Sequence, residues 1–196
     1  MIIFFMVFIL AFVANDTLKE KGTISLIPVG KVNEDLLIYL ANQLATQFSD
    51  EVKTGKAFPQ ASYAYNKRRN QYCSDLILRE LETLDLGKTK KILGLVDLDL
   101  YTPGLNFVFG QASMGGRASL IALPRLRQEF YGLKENRSLF YERALKEAVH
   151  ELGHSFGLNH CRNRKCVMHF SNCLADTDYK KKEFCKACQK KLLWER

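Results

Sequence analysis

The stretch "HELGHSFGLNHCRNRKC", from His150 to Cys166, gathers three of the chain's four histidines, a glutamate and two cysteines. His150 and His154 are four residues apart, so on a helix they share one face, about 6 Å apart along the axis. An apolar stripe of Leu145, Ala148, Val149, Leu152 and Phe156 marks that helix. Both histidines fall roughly opposite the stripe, outside the set expected to face the core. His160 comes six residues after His154, and a helix that simply continued would carry it about 9 Å away. Gly157 removes the difficulty. Glycine adopts the left-handed conformation that ends a helix, so the chain can turn and bring His160 back. Three neutral imidazoles with a fourth position open are the donor set of a catalytic zinc, and Zn²⁺ brings the pKa of a bound water down to about 7. Glu151, beside a ligand, is placed to take the water's proton and pass it to a leaving amine. The chemistry expected is metal-assisted hydrolysis of a peptide bond.

A second donor set follows at once. Cys161 succeeds the third histidine, Cys166 lies five residues on, and Cys185 and Cys188 form a later pair. Two close pairs separated by a loop have the layout of a structural Cys₄ zinc site. Such a site would tie the loop after the histidine helix to a C-terminal helix expected around Glu183 to Leu193. Two disulfides or free thiols are the competing reading, and Cys173 lies near enough in sequence to replace one of the four. Five of the six cysteines fall in the last 36 residues. That clustering beside histidines, in a chain large enough to need no staples, favours metal and a reducing compartment.

The elements that must position these groups follow from periodicity. "GTISLIPVG" (Gly22 to Gly30) alternates between glycines and reads as a strand. A helix capped by Asn33 should follow, with Leu37, Leu40, Ala41, Leu44 and Phe48 on one face, and then a short strand near Glu51 to Thr54. "NKRRNQYCSDLILRELETLD" is predicted as a second helix burying Ile77, Leu81 and Leu84. "KILGLVDLDLY" (Lys91 to Tyr101) is predicted as one buried strand. "LNFVFG" and "RASLIAL" supply two more, joined through Met114-Gly115-Gly116. A long helix starting near Asn136 or Ser138 runs into the histidine motif, with capping rather than glycosylation as the role of Asn136. This order predicts an α+β domain: a mixed sheet with packed helices.

The motif "HELGHSFGLNH" resembles the metzincin signature H-E-x-x-H-x-x-G-x-x-H of zinc proteases. Met168, eight residues past His160, then fits the methionine turn that metzincins carry beneath the metal. Where some metzincins place an additional tyrosine ligand, "VMHF" has Phe170, so three protein ligands and water are expected; His169 is read as a neighbour or an exposed residue. The third histidine followed by Cys-x₄-Cys-x-Met and a later Cys-x-x-Cys resembles the archaemetzincins, as do "NFVFGQASMGGRASLIALPRL" and "AVHELGHSFGLNHCRNRKCVMHFSN". The resemblance implies a metzincin-type protease domain with a long active-site helix and a small C-terminal Cys₄ subdomain. It also implies two Zn²⁺ per chain: a catalytic ion on His150, His154 and His160 with Glu151 as base, and a structural ion on Cys161, Cys166, Cys185 and Cys188. From the architecture, "NFVFG" is the candidate edge strand for an extended peptide, with a buried strand as the alternative.

On this reading residues 1–20 are an apolar leader, signal-like or an extension. Residues 21–196 form one metalloprotease domain, its zinc-binding part at about 161–196. The run Ile2 to Val13 is too short to span a bilayer. A cytoplasmic location is expected, with export or anchoring left open by that run. The partner expected is a peptide or protein substrate, acted on by a monomer. The formal charge is +8, and from Cys161 to Arg196 ten Lys/Arg face four Asp/Glu. That excess motivates the alternative, a non-enzymatic zinc-stabilised protein binding nucleic acid. It leaves Glu151 and Gly157 without a role, and nucleic acid is not the expected partner.

Overall fold

The structure, a computed structural model, describes residues 22–195. The apolar run Ile2–Val13 lies outside the described residues. Among the described residues no helix is long and apolar enough to cross a membrane.

A five-stranded sheet runs in the order β2 (Glu51–Thr54), β1 (Thr23–Val29), β5 (Thr89–Val96), β8 (Ala118–Ala122), β7 (Gly110–Ala112). The first four strands are parallel, and β7 is antiparallel to β8 at one edge. Alternation along β1 and β5 sorts side chains to two buried faces. Ile24, Leu26, Leu93 and Leu95 pack on α1 (Glu34–Phe48) and α3 (Arg137–Ser155), while Ile27, Val29, Ile92 and Val96 pack on α2 (Ser74–Thr83). Asn33 caps α1 and Asn136 caps α3, each side chain accepting from the backbone N–H three residues on.

Three predicted elements come out shorter, each for a visible reason. The second helix begins only at Ser74, because Asn66 Oδ1 accepts from the N–H groups of Arg68 and Arg69 and folds the preceding residues into a turn. That turn joins β3 (Tyr65–Asn66) to β4 (Gln71–Cys73), and with β6 (Leu100–Tyr101) they make a small second sheet. The long strand from Lys91 stops at Val96, where Asp97 and Asp99 leave the ladder to pair with Arg127 and Arg125 at 2.6 and 2.5 Å. "LNFVFG" is strand only from Gly110, because Arg69 takes the carbonyls of Leu105 and Asn106.

Two further helices, α4 (Leu174–Tyr179) and α5 (Lys186–Glu195), complete the described chain. α3 is buried all round over its last three turns, so the sequence expectation that its histidine face stands clear of the interior is corrected. The stripe does face the sheet, but the segment after the helix folds back over the other side. At its C-terminal end Lys91 of β5 donates from Nζ to the carbonyls of Ser155 and Gly116, at 2.5 and 2.7 Å. A cation there also opposes the negative end of the helix dipole.

Candidate active site

α3 ends in a hydrogen-bonded reversal. Gly157 N–H donates to His154 O and Leu158 N–H donates to Gly153 O, both at 2.9 Å, with Gly157 at φ +87°. This is the Schellman pattern, and it needs a residue without a side chain at the left-handed position. The reversal brings His160 beside the two helical histidines, as the spacing predicts. His154 Nε2 lies 3.1 Å from His150 Nε2 and 3.2 Å from His160 Nε2.

Those nitrogens are short of protons. His150 Nδ1 donates to Val167 O at 2.8 Å and His154 Nδ1 to Leu158 O at 2.6 Å. A carbonyl can only accept, so both Nε2 atoms present bare lone pairs. Burial holds the pKa of His150 well below the ordinary value, and lowers that of His154 and His160 as well. Two lone pairs 3.1 Å apart with no proton between them repel, and a cation at their focus turns that repulsion into ligation. A tetrahedral Zn²⁺ with N ligands sets them about 3.3 Å apart. The donor set therefore fits zinc.

Glu151 is buried against the edge strand. A Cβ on Gly110 would lie 2.6–2.8 Å from its Cγ, Cδ and Oε1, so β7 must carry glycine there. Burial, with Glu147 adding to it, pushes the Glu151 carboxyl well above the ordinary carboxylate range; a divalent cation alongside acts in the opposite sense. The histidines and Glu151 open into a cleft of about 510 Å³ lined by Phe107, Phe109, Gln111 and Met114 on one side and by Asn159 and Phe170 on the other.

Met168 is fully buried beneath α3, where a Cβ on Gly153 would collide with its sulfur. Phe170 sets its ring 4.9 Å from that of His160 and offers no fourth ligand. His169 stays out of the triad, its Nδ1 2.9 Å from Cys161 O.

The sulfur atoms of Cys161, Cys166, Cys185 and Cys188 lie within 4.8 Å of one another, with Cys161 and Cys185 at 3.8 Å. A disulfide needs about 2.05 Å, whereas four thiolates at Zn–S bonds of 2.3 Å stand about 3.8 Å apart. Backbone N–H groups of Asn163 and Cys185 point at Cys161 Sγ and Cys166 Sγ, and burial outweighs the hydrogen bonds at Cys166 and raises its thiol. Burial pushes Cys185 up, but hydrogen bonds from Cys188, Cys166 and Cys161 outweigh it and bring that thiol to about 7. Cys173 is exposed, beside Asp176, and Cys73 lies on β4; neither joins the cluster.

Sequence reasoning missed Gly110, Gly153 and the pair Glu147–Lys180. A glycine inside a helix costs about 1 kcal/mol against alanine, so Gly153 was the legible signal of a close packing partner. Lys180 was hidden within a run of three lysines that reads as solvated. It is fully buried, its Nζ 3.0 Å from Glu147 Oε1 and 3.4 Å from His169 O. With Arg143–Asp178 at 2.6 Å, it fastens α4 and the segment at His169 to α3.

A model of peptidase family M54 matches residues 55–193. The archaemetzincin of Methanocaldococcus jannaschii is 46% identical over 166 residues, 84% of this chain and 89% of that protein. The archaemetzincin of Pyrococcus furiosus is 45% identical over 178 residues, 88% and 93% of the two. Among solved structures, the archaemetzincin of Methanopyrus kandleri superposes with a TM-score of 0.79 at 36% identity, over 89% of this chain and 95% of that one. That of Archaeoglobus fulgidus, complexed with malonate, gives 0.75 at 40% identity, over 86% and 99%.

Proposed function

The chain belongs to peptidase family M54, the archaemetzincins, and is a zinc metallopeptidase acting on peptide or protein; from that premise we propose the roles of its residues. His150, His154 and His160 would hold the catalytic zinc, and Cys161, Cys166, Cys185 and Cys188 a second, structural one, giving two ions per chain. The observation that carries the first assignment is the convergence of two deprotonated Nε2 atoms 3.1 Å apart. Zinc, when bound there, supplies a Lewis acid that polarises the scissile carbonyl and acidifies water.

Everything else falls to the chain. Glu151 holds the general-base carboxylate: it receives the proton from the attacking water and returns it to the amine as the peptide bond breaks. Gly110 leaves that carboxylate its room. The open edge of β7, which lines the cleft, pairs with an extended substrate by strand addition. Met168 supports α3 between its two histidines. The site is complete within one chain, which supports a monomer as the working unit, and residues 21–196 would act as one domain. A nucleic-acid-binding protein would have no use for a carboxylate lodged beside three converging imidazoles.

Replacing Glu151 with Ala tests the assignment. We expect kcat to fall by a factor of about 10² to 10⁴ while zinc content stays that of the wild type. Hydrolysis surviving at the wild-type rate would remove Glu151 from the reaction.

A further inference from the structure

The turn "NKRRN", Asn66 to Asn70, is tightly built. Asn66 Oδ1 accepts from Arg68 N and Arg69 N at 3.1 and 3.3 Å, and its Nδ2 donates to Tyr101 Oη at 2.9 Å. Tyr65 Oη donates to Asn70 Oδ1 at 2.8 Å, and Asn70 sits at φ +53°. Of the consecutive cations, Arg69 is occupied: it donates to Gln71 Oε1, Leu105 O and Asn106 O and lies over the Tyr101 ring.

Lys67 and Arg68 are not occupied. With Arg79 of α2 they line a concavity of about 590 Å³ whose walls include Tyr63, Tyr65 and Tyr101. Among the described residues none of these three cations has an ion-pair partner. Asp75, the carboxylate on that lining, already accepts from Thr102 Oγ1 at 3.1 Å and from Gln111 Nε2 at 2.5 Å. Arg125, Arg127, Arg137 and Arg143, by comparison, are each matched to an aspartate. Unmatched cations in a concave site draw in anions, and guanidinium groups take carboxylates in bidentate fashion.

The concavity and the catalytic cleft are lined by neighbouring residues. Tyr101 and Asp75 line the concavity, while Thr102, the next residue in the chain, and Gln111 line the cleft, both hydrogen-bonded to Asp75. We propose that this concavity is a specificity subsite for an acidic side chain of the peptide held in the cleft, contacted by Arg68, Arg79 and Lys67. The assignment rests on the peptidase reading above. It is a single pocket rather than a groove following a phosphate backbone, so an acidic peptide fits it better than a nucleic acid.

The test uses the zinc-loaded full chain and labelled peptides that differ by glutamine or glutamate at one scanned position. Fluorescence anisotropy reports binding, and hydrolysis of the glutamine peptides is followed separately. We expect one position at which glutamate tightens binding by about tenfold. In the double variant Arg68→Gln/Arg79→Gln that preference disappears, while binding and cleavage of the glutamine peptides are unchanged. No preference in the wild type, or a preference that survives in the variant, overturns the subsite. So does a single-stranded RNA that displaces the glutamate peptide and loses its own binding in the same variant. Absence of any hydrolysis by the wild type would instead count against the peptidase reading, leaving the binding result to be judged alone.

Discussion

The histidine centre and the cysteine centre meet at the bond between His160 and Cys161, yet they are built by opposite means. In the first, backbone carbonyls of Val167 and Leu158 accept from imidazole Nδ1 atoms and leave lone pairs facing an open cleft. In the second, backbone N–H groups point at sulfur and four donors close around one point. Three ligands with a free corner suit turnover, and four thiolates without one suit permanence. The two share the loop from Leu158 to His169. Cys161 N–H donates to Met168 O at 2.8 Å, and Val167 N–H to Glu183 O at 3.1 Å. One loop therefore supplies Cys161 and Cys166 to the closed centre and His160, the Val167 carbonyl and Met168 to the open one.

Graded chelation should separate them most sharply. A mild chelator is expected to remove one zinc and all peptidase activity while the melting temperature changes little; the second zinc should leave only as the fold is lost. Simultaneous loss of both ions, read by metal analysis along the titration, would erase the distinction between open and closed.

Cys185→Ser comes next. It should empty the cysteine centre and, through the shared loop, weaken zinc at the histidines by about 10- to 100-fold. If competition with a zinc indicator finds the histidine affinity intact, the two centres are independent. Gly157→Ala acts on the reversal itself. An alanine at φ +87° should cost about 1–2 kcal/mol in urea unfolding of the zinc-loaded protein. An unchanged midpoint would mean that the turn is under no strain to exploit. Met168→Leu should be smallest: under about 1.5 kcal/mol, with both ions retained and kcat near that of the wild type. A large fall in kcat at full zinc occupancy would give the sulfur itself a part in the chemistry.

The sequence carried the site better than the frame around it. The convergence of His150, His154 and His160, the turn at Gly157 and the grouping of the four cysteines were legible because a shared donor cluster and a left-handed turn each demand particular residue types at short spacings. The alternation of "TISLIPV" and the caps at Asn33 and Asn136 were legible for the same local reason. What was not legible depended on partners distant in the chain. Asp97 and Asp99 break a strand only because Arg127 and Arg125 arrive from thirty and twenty-six residues later. The histidine face of α3 is buried where Lys180 and Asp178, paired with Glu147 and Arg143, bring the tail back across it. "NKRRN" has the composition of a helix start, but the Asn66 side chain holds the N–H groups of Arg68 and Arg69 in a turn.

Lys91 offers a last consequence. Its amine is enclosed by two carbonyls at the foot of the catalytic helix and sits 4.8 Å from the face of Phe156. In the native protein it should resist acylating reagents that modify surface lysines freely. Mass-spectrometric labelling of this one residue would then serve as a gauge of how often the end of α3 breathes away from the sheet, read without any substrate at all.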